Sequence, residues 1–198
     1  MSLKINFENI EQRCLKASNT PEYKKLIDKI SRAKKIFLIG NGGLHFVANH
    51  MATDLTRLIE NKVVYSFESV GFITSNANDH GFEKMFVRWL DTVCSVENPD
   101  DCLIIGLSCS GNSSNVIRAL HWGEEENFPT FLVSGQKSLV SKDNIDELSF
   151  NCEFFHTVEV MCLMLFYDLI HCVGSHCPSI TEEKKRMKDS PLRVVKDE

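Results

Sequence analysis

The sequence predicts an α/β fold: a three-layer sandwich with helices on both faces of a sheet of about five parallel strands. Two observations carry this. An apolar run that stops at a Gly- or Ser-rich turn and opens into a helix occurs twice, at residues 34–43 and again at 101–113. The candidate strands are apolar throughout rather than alternating, as expected of strands buried on both faces, and helical patterns lie between them.

In chain order, residues 5–17 and 21–32 read as amphipathic helices forming an N-terminal hairpin. Thr20 is placed to cap the second, and Pro21 to occupy its first turn. Residues 34–39 form the first strand, ending at Gly40-Asn-Gly-Gly43, and a helical pattern runs from 44 to 60. Further strands fit residues 63–67, 101–107, 130–133 and 147–150. Helices fit 70–76, 81–93 and 115–124. From 154 to 171 the apolar positions surround almost the whole helix, so it must be buried. A helix on the outside of one domain keeps one face in water, so this one is expected to pack on another copy, giving a homo-oligomer.

The 198 residues, 43% of them hydrophobic, suit one domain over residues 1–180, followed by a highly charged tail at 181–198. The N-terminal helices, residues 1–33, are expected to pack on the sheet or on a neighbouring subunit. A formal charge of -5 gives no electrostatic reason for a nucleic-acid partner. No uninterrupted apolar stretch approaches the roughly 18 to 20 residues of a membrane span, and the N-terminus lacks a secretion signal's apolar core. A cytoplasmic protein without a membrane partner is expected. The 8 cysteines include no Cys-x-x-Cys pair, which argues against a disulfide framework or a cysteine-based zinc site.

Ligands of open parallel sheets sit beyond the C-terminal strand ends, near the reversal of strand order. Both Gly40-Asn-Gly-Gly43 and Ser108-Cys-Ser-Gly-Asn-Ser113 occupy such ends. The glycines let a ligand approach the backbone. The second turn offers the hydroxyls of Ser108, Ser110 and Ser113, beside Asn112, and a helix N-terminus, which together favour a phosphate monoester. Taken singly, such loops are ordinary turn chemistry. Neither loop has the dinucleotide glycine spacing or a Gly-Lys-Ser/Thr, so no nucleotide cofactor is expected.

The segments Ile39-Gly-Asn-Gly-Gly43, Asn78-Asp-His-Gly-Phe-Glu83 and Gly106-Leu-Ser-Cys-Ser-Gly-Asn-Ser-Ser-Asn-Val-Ile-Arg-Ala119 together resemble the sugar isomerase (SIS) domain, and within it the phosphoheptose isomerases. The resemblance spans residues 8–174. It implies the SIS fold with a five-stranded sheet, a homotetramer, and a sugar phosphate held by Ser108, Ser110 and Ser113 with help from Asn41 and Gly42.

Aldose–ketose isomerisation moves a proton between adjacent carbons, and needs a base, an acid and stabilisation of the enediolate. His50 and Asp54, at i and i+4, share one helix face; His156 and Glu159, at i and i+3, share another. Either pair suits acid–base work or ligation of zinc or another divalent metal, with His50, Asp54 and His156 as ligands. Asp54 also stands three residues from Arg57, the spacing of a plain ion pair. The resemblance places a His and an acid, there normally Glu, at His50 and Asp54. It places the family's Gln and His at His156 and Met164, and a family serine at Leu44. Asp79, ahead of His80, is a further catalytic candidate, in a segment that also reads as a turn. Two functions follow: an isomerase of a heptose phosphate such as sedoheptulose 7-phosphate, using Asp54, His156, Glu159 and Asp79, or a non-catalytic SIS protein that binds a phosphosugar. A third is an isomerase of a different phosphosugar.

Overall fold

Five parallel strands form the centre of the computed structural model, which describes residues 7–140 and 144–182. They are β1 (Lys35–Gly40), β2 (Val63–Ser66), β3 (Cys102–Ser108), β4 (Thr130–Ser134) and β5 (Asp146–Ser149), in the order β2-β1-β3-β4-β5. The register pairs Ile36 with Leu103 and Leu38 with Ile105, so the two apolar runs lie side by side at the middle of the sheet. All seven residues of β3 are buried. The three-layer sandwich expected from the sequence is present.

Alternate residues of each strand face opposite layers. Ile36, Leu38, Leu103 and Ile105 meet α1 (Phe7–Ser18), α2 (Pro21–Arg32), α3 (Gly43–Leu58) and α7 (Phe155–Cys172). Phe37, Ile39 and Ile104 meet α5 (Met85–Cys94) and α6 (Ser114–Glu125), with α4 (Val70–His80) at the margin. The N-terminal hairpin therefore lies on the α3–α7 face. Thr20 caps α2 as expected, accepting from the Tyr23 amide at 3.2 Å. Tyr23, Leu26 and Ile30 are buried, while Lys25 and Lys29 fix the outer end of the helix to Asp146 at 2.7 and 3.0 Å.

Two expectations are corrected. Residues 78–80 are helical rather than a turn: Ser69 caps α4 through the Phe72 amide at 3.2 Å, and the helix runs to His80. It stops where Gly81 takes φ 87°, a value glycine adopts without strain. The helix expected from residue 81 instead begins as a single 3₁₀ turn, Phe82–Lys84, followed by α5.

Within one chain, α7 is buried along one side only. Met161, Cys162, Phe166 and Leu169 are fully enclosed, whereas Val160 and Met164 are 44% and 40% exposed. By length and composition alone α7 is apolar enough to cross a bilayer, but here that apolar side forms the core against α3 and the sheet. The charged tail expected from residue 181 lies, from 183 onward, outside the described residues.

Candidate active site

The β1 and β3 ends lie next to each other, and the chain leaves them in opposite directions, towards β2 and β4. This is the reversal point at which open parallel sheets bind ligands. A cavity of about 320 Å³ opens there, lined by Asn41, Gly42, Ser108, Ser110, Ser113 and Glu159, among others.

Ser108 is the last residue of β3 and is almost wholly buried. Its hydroxyl stands 2.9 Å from that of Ser113, the residue preceding α6. Its carbonyl accepts from Gly111 at 3.2 Å and Gly135 at 3.1 Å, folding the loop back on itself. Gly111 takes φ 70°, and a Cβ there would overlap the Gln136 carbonyl, so the tight turn requires glycine. Ser113 makes no side-chain cap bond to α6, whose N-terminus follows directly on the serine loop, and of the first-turn amides that of Val116 is taken by Asn115 Oδ1 at 3.0 Å. Hydroxyls and a helix N-terminus thus converge without a lysine, an arrangement suited to a phosphate monoester.

Asn112 does not line this cavity. Its carbonyl oxygen accepts from Leu139 N at 2.9 Å and from the Ser138 hydroxyl at 3.3 Å, and its amide donates to Ser110 O at 2.8 Å. It fastens the serine loop to the loop after β4. Asn41 likewise pairs with protein: its amide and that of Asn115, which is buried, exchange hydrogen bonds of 2.8 and 2.9 Å. This joins the two cradle loops. Sequence reasoning missed Asn115, although its place in the first turn of α6, facing the glycine turn, was the available signal.

The glycine turn starts α3. Gly42 takes φ 56° and precedes a helix that no side chain caps. At Gly43 a Cβ would overlap the Glu159 carboxylate, so glycine here leaves room for an acid from α7. Glu159 therefore stands at an N-terminal helix end, where the dipole favours negative charge. Its carboxylate also acts on Cys109: burial first, and that charge second, push the Cys109 thiol up to about 11.

Gly43, His50, Asp54 and Arg57 follow one stripe of α3, and α7 packs along it. His50 Nε2 shares a hydrogen bond of 2.7 Å with the Tyr167 hydroxyl, which donates to Asp54 Oδ2 at 3.2 Å. Arg57 donates to Asp54 Oδ1 at 3.1 Å. Burial, and then the Asp54 carboxylate, hold the Tyr167 phenol above its ordinary value. A polar seam thus descends between the two helices from the cradle, with His50 seven residues, roughly 10 Å, below Gly43. Tyr167 was not anticipated; its spacing of eight from Glu159 on α7 was the signal.

His50, Asp54 and His156 are not brought together within one chain. The His156 ring lies 6.1 Å from that of Phe154 at the exposed start of α7, eleven residues, roughly 16 Å of helix, from Tyr167. Among the described residues no three His, Cys, Asp or Glu side chains converge as a metal site. Both Asp54 oxygens are engaged, one of them by a guanidinium. The donor set of the single chain therefore does not fit a divalent metal. Asp79 and His80 end α4, exposed and away from the cavity lining; Asp79 accepts from the Asn78 amide at 2.8 Å. Leu44 lines the cavity with a buried side chain.

No family model matches the chain. Curated relatives do: it is 34% identical over 116 residues to the phosphoheptose isomerase of Hamiltonella defensa, covering 56% of this chain and 54% of that protein. It is 32% identical over 126 residues to that of Shigella dysenteriae, covering 61% and 63%. The chain thus spans somewhat more than half the length of these relatives. Among solved structures, the phosphoheptose isomerase of Neisseria gonorrhoeae superposes with a TM-score of 0.69 at 19% identity, covering 84% of this chain and 94% of that one. That of Francisella tularensis gives 0.70 at 17%, covering 84% and 93%. The resemblance read from the sequence is borne out by these relatives, and the fold is that of the SIS phosphoheptose isomerases.

Proposed function

We propose that the chain is an aldose–ketose isomerase acting on a sugar phosphate, with a heptose phosphate such as sedoheptulose 7-phosphate as its substrate. The observation that carries this is the cradle at the sheet's reversal point with a carboxylate in its wall. Ser108, Ser110, Ser113 and the α6 N-terminus suit the phosphate, and Glu159 stands at the rim facing what the phosphate carries. Glu159 is the base that takes a proton from one carbon and returns it to its neighbour. An extended sugar chain reaches from the cradle towards the seam, where the exposed His50 ring orients its hydroxyls and carbonyl. The curated relatives named phosphoheptose isomerase support the substrate class.

We further propose that copies of the chain associate as a homo-oligomer, a tetramer in the reading above. Phe46 on α3 and Phe154 and Phe155 at the start of α7 are 73%, 63% and 69% exposed, apolar surface that a second copy would cover. Light scattering of the purified chain tests this, with a monomer at micromolar concentration as the contrary result.

The activity is tested by incubating the chain, with and without zinc, with a panel of phosphosugars and following deuterium exchange at C1 and C2. Exchange is expected with a heptose phosphate. Ser110→Ala and Ser113→Ala should each weaken binding about tenfold, the value of a charge-assisted hydrogen bond. Saturable binding without exchange of any sugar would favour the second reading, a phosphosugar-binding protein that does no chemistry. Met164, standing where the resembling family has histidine, supports that reading.

A further inference from the structure

We infer that the seam between α3 and α7 carries an internal substitute for a metal centre: Arg57 supplies the positive charge beside Asp54, and Tyr167 fills the place between His50 and Asp54 where a shared cation would sit. This deepens the isomerase reading above and rests on it for the catalytic part only; the metal-free state stands on geometry alone.

The groups satisfy one another. Asp54 is only 12% exposed at its side chain, and a carboxylate so enclosed needs positive charge or donors on its oxygens. It has both: Arg57 on Oδ1 at 3.1 Å and the Tyr167 hydroxyl on Oδ2 at 3.2 Å. With its single proton directed at Asp54, the phenol oxygen accepts from His50 Nε2 at 2.7 Å. His50 Nε2 lies 3.5 Å from the same Asp54 oxygen, so the tyrosine and the direct contact close a small ring of polar groups. A divalent ion here would displace the tyrosine from two partners and face the guanidinium next to it.

The rest of the donor set gives such an ion little help. A catalytic zinc takes three protein ligands as a rule, and His156 is too far along α7 to be the third. Met164, one turn before Tyr167, offers a neutral thioether and is partly exposed. Tyr167 is in turn the donor that the seam has available. Its hydroxyl holds the His50 ring and the Asp54 carboxylate in one geometry, which makes it a positioning residue for the His50 ring that orients the sugar. The ring of contacts involves no reagent beyond the chain itself.

The test uses the full chain. After equilibration with zinc chloride and dialysis, elemental analysis is expected to find zinc well below one equivalent, and calorimetric titration to show no saturable zinc heat. Arg57→Gln, which removes the internal cation, should produce a measurable zinc heat where the parent shows none. Tyr167→Phe should lower the rate of exchange at saturating phosphosugar about tenfold with little change in KM, and should move the ¹⁵N shift of the His50 ring; thermal melting shows that the variant is folded. A full equivalent of zinc, lost on His50→Ala, would overturn the metal-free assignment. A silent titration of Arg57→Gln would overturn the role of Arg57. Unchanged turnover, or an unchanged His50 ring shift, in Tyr167→Phe would overturn that of the tyrosine. Should the parent exchange no sugar at all, the isomerase reading falls, while the zinc titrations and the His50 shift still decide this inference.

Discussion

Asn41 and Asn115 exchange two amide hydrogen bonds, of 2.8 and 2.9 Å, across the gap between the glycine turn and the serine loop. Asn115 Oδ1 also accepts from the Val116 amide at 3.0 Å, so one buried side chain serves three donors and acceptors. Asn115→Ala would leave the Asn41 amide short of its partner and the α6 amide without its acceptor. We expect a loss of roughly 1–3 kcal/mol, read by urea unfolding. Weaker binding of inorganic phosphate, read by calorimetry, should accompany it, because the two halves of the cradle are no longer held in register. Unchanged affinity would separate the clamp from the site.

Gly43→Ala separates fold from function. Alanine is a better helix former than glycine, though the gain is small at the first residue of α3, and its Cβ would overlap the Glu159 carboxylate. Since that carboxylate is the far end of a flexible side chain, it swings aside, and melting temperature should hold or rise. Exchange of a phosphosugar proton should nonetheless drop about tenfold or more, the scale of a misplaced general base. A variant as active as the parent would remove Glu159 from the chemistry.

How much of this was legible beforehand follows from range. The strand–turn–helix units at β1 and β3 are written in contiguous apolar runs closed by Gly or Ser, so the sheet, the serine loop and the two helix starts could be read locally. Thr20 and Pro21 marked the start of α2 for the same reason. Contacts between distant segments leave no such trace. Asn41 and Asn115, His50 and Tyr167, and Gly43 and Glu159 pair residues more than seventy positions apart, and only the packing of α3 against α7 and of β1 against β3 brings them together. Asn112 reads as a ligand contact together with the serines of its loop; its side chain instead meets the loop after β4. The helical state of Asp79 was missed because Asn, Asp and His before Gly have the composition of a turn, while the Ser69 cap lay ten residues upstream.

Cys109 reports on the same corner. Burial, with the Glu159 carboxylate as a smaller contribution, holds its thiol up at about 11, so it stays protonated at pH 8 and should be alkylated by iodoacetamide much more slowly than a free thiol. Glu159→Gln removes the nearby negative charge, lowers that value and should speed the reaction, as followed by peptide mass spectrometry. Equal rates in parent and variant would argue that the carboxylate is not beside Cys109.

Asp146 connects β5 to α2. Burial by itself would raise its carboxyl, but hydrogen bonds from Lys25 and Lys29 outweigh this and hold it below its ordinary 3.8. With a depressed value in the folded chain, the unfolded chain takes up the proton first on acidification. The contribution is therefore present above the ordinary carboxylate range and lost as pH falls through the depressed value. Asp146→Asn should flatten the acid limb of the stability profile, compared by urea titration between pH about 5 and about 3. Both lysines are partly in water, so the effect is small and should shrink in high salt.

The cradle is divided between two loops more than sixty residues apart, and neither holds a complete set of donors. Its binding capacity therefore comes into being only when β3 inserts beside β1, which is also the step that closes the centre of the sheet. Ligand occupancy and sheet closure are in this way linked equilibria. An anion ester at a hundred times its Kd should add about 2.7 kcal/mol to resistance against unfolding, and hydrogen exchange of the β1 and β3 amides should slow by the same factor.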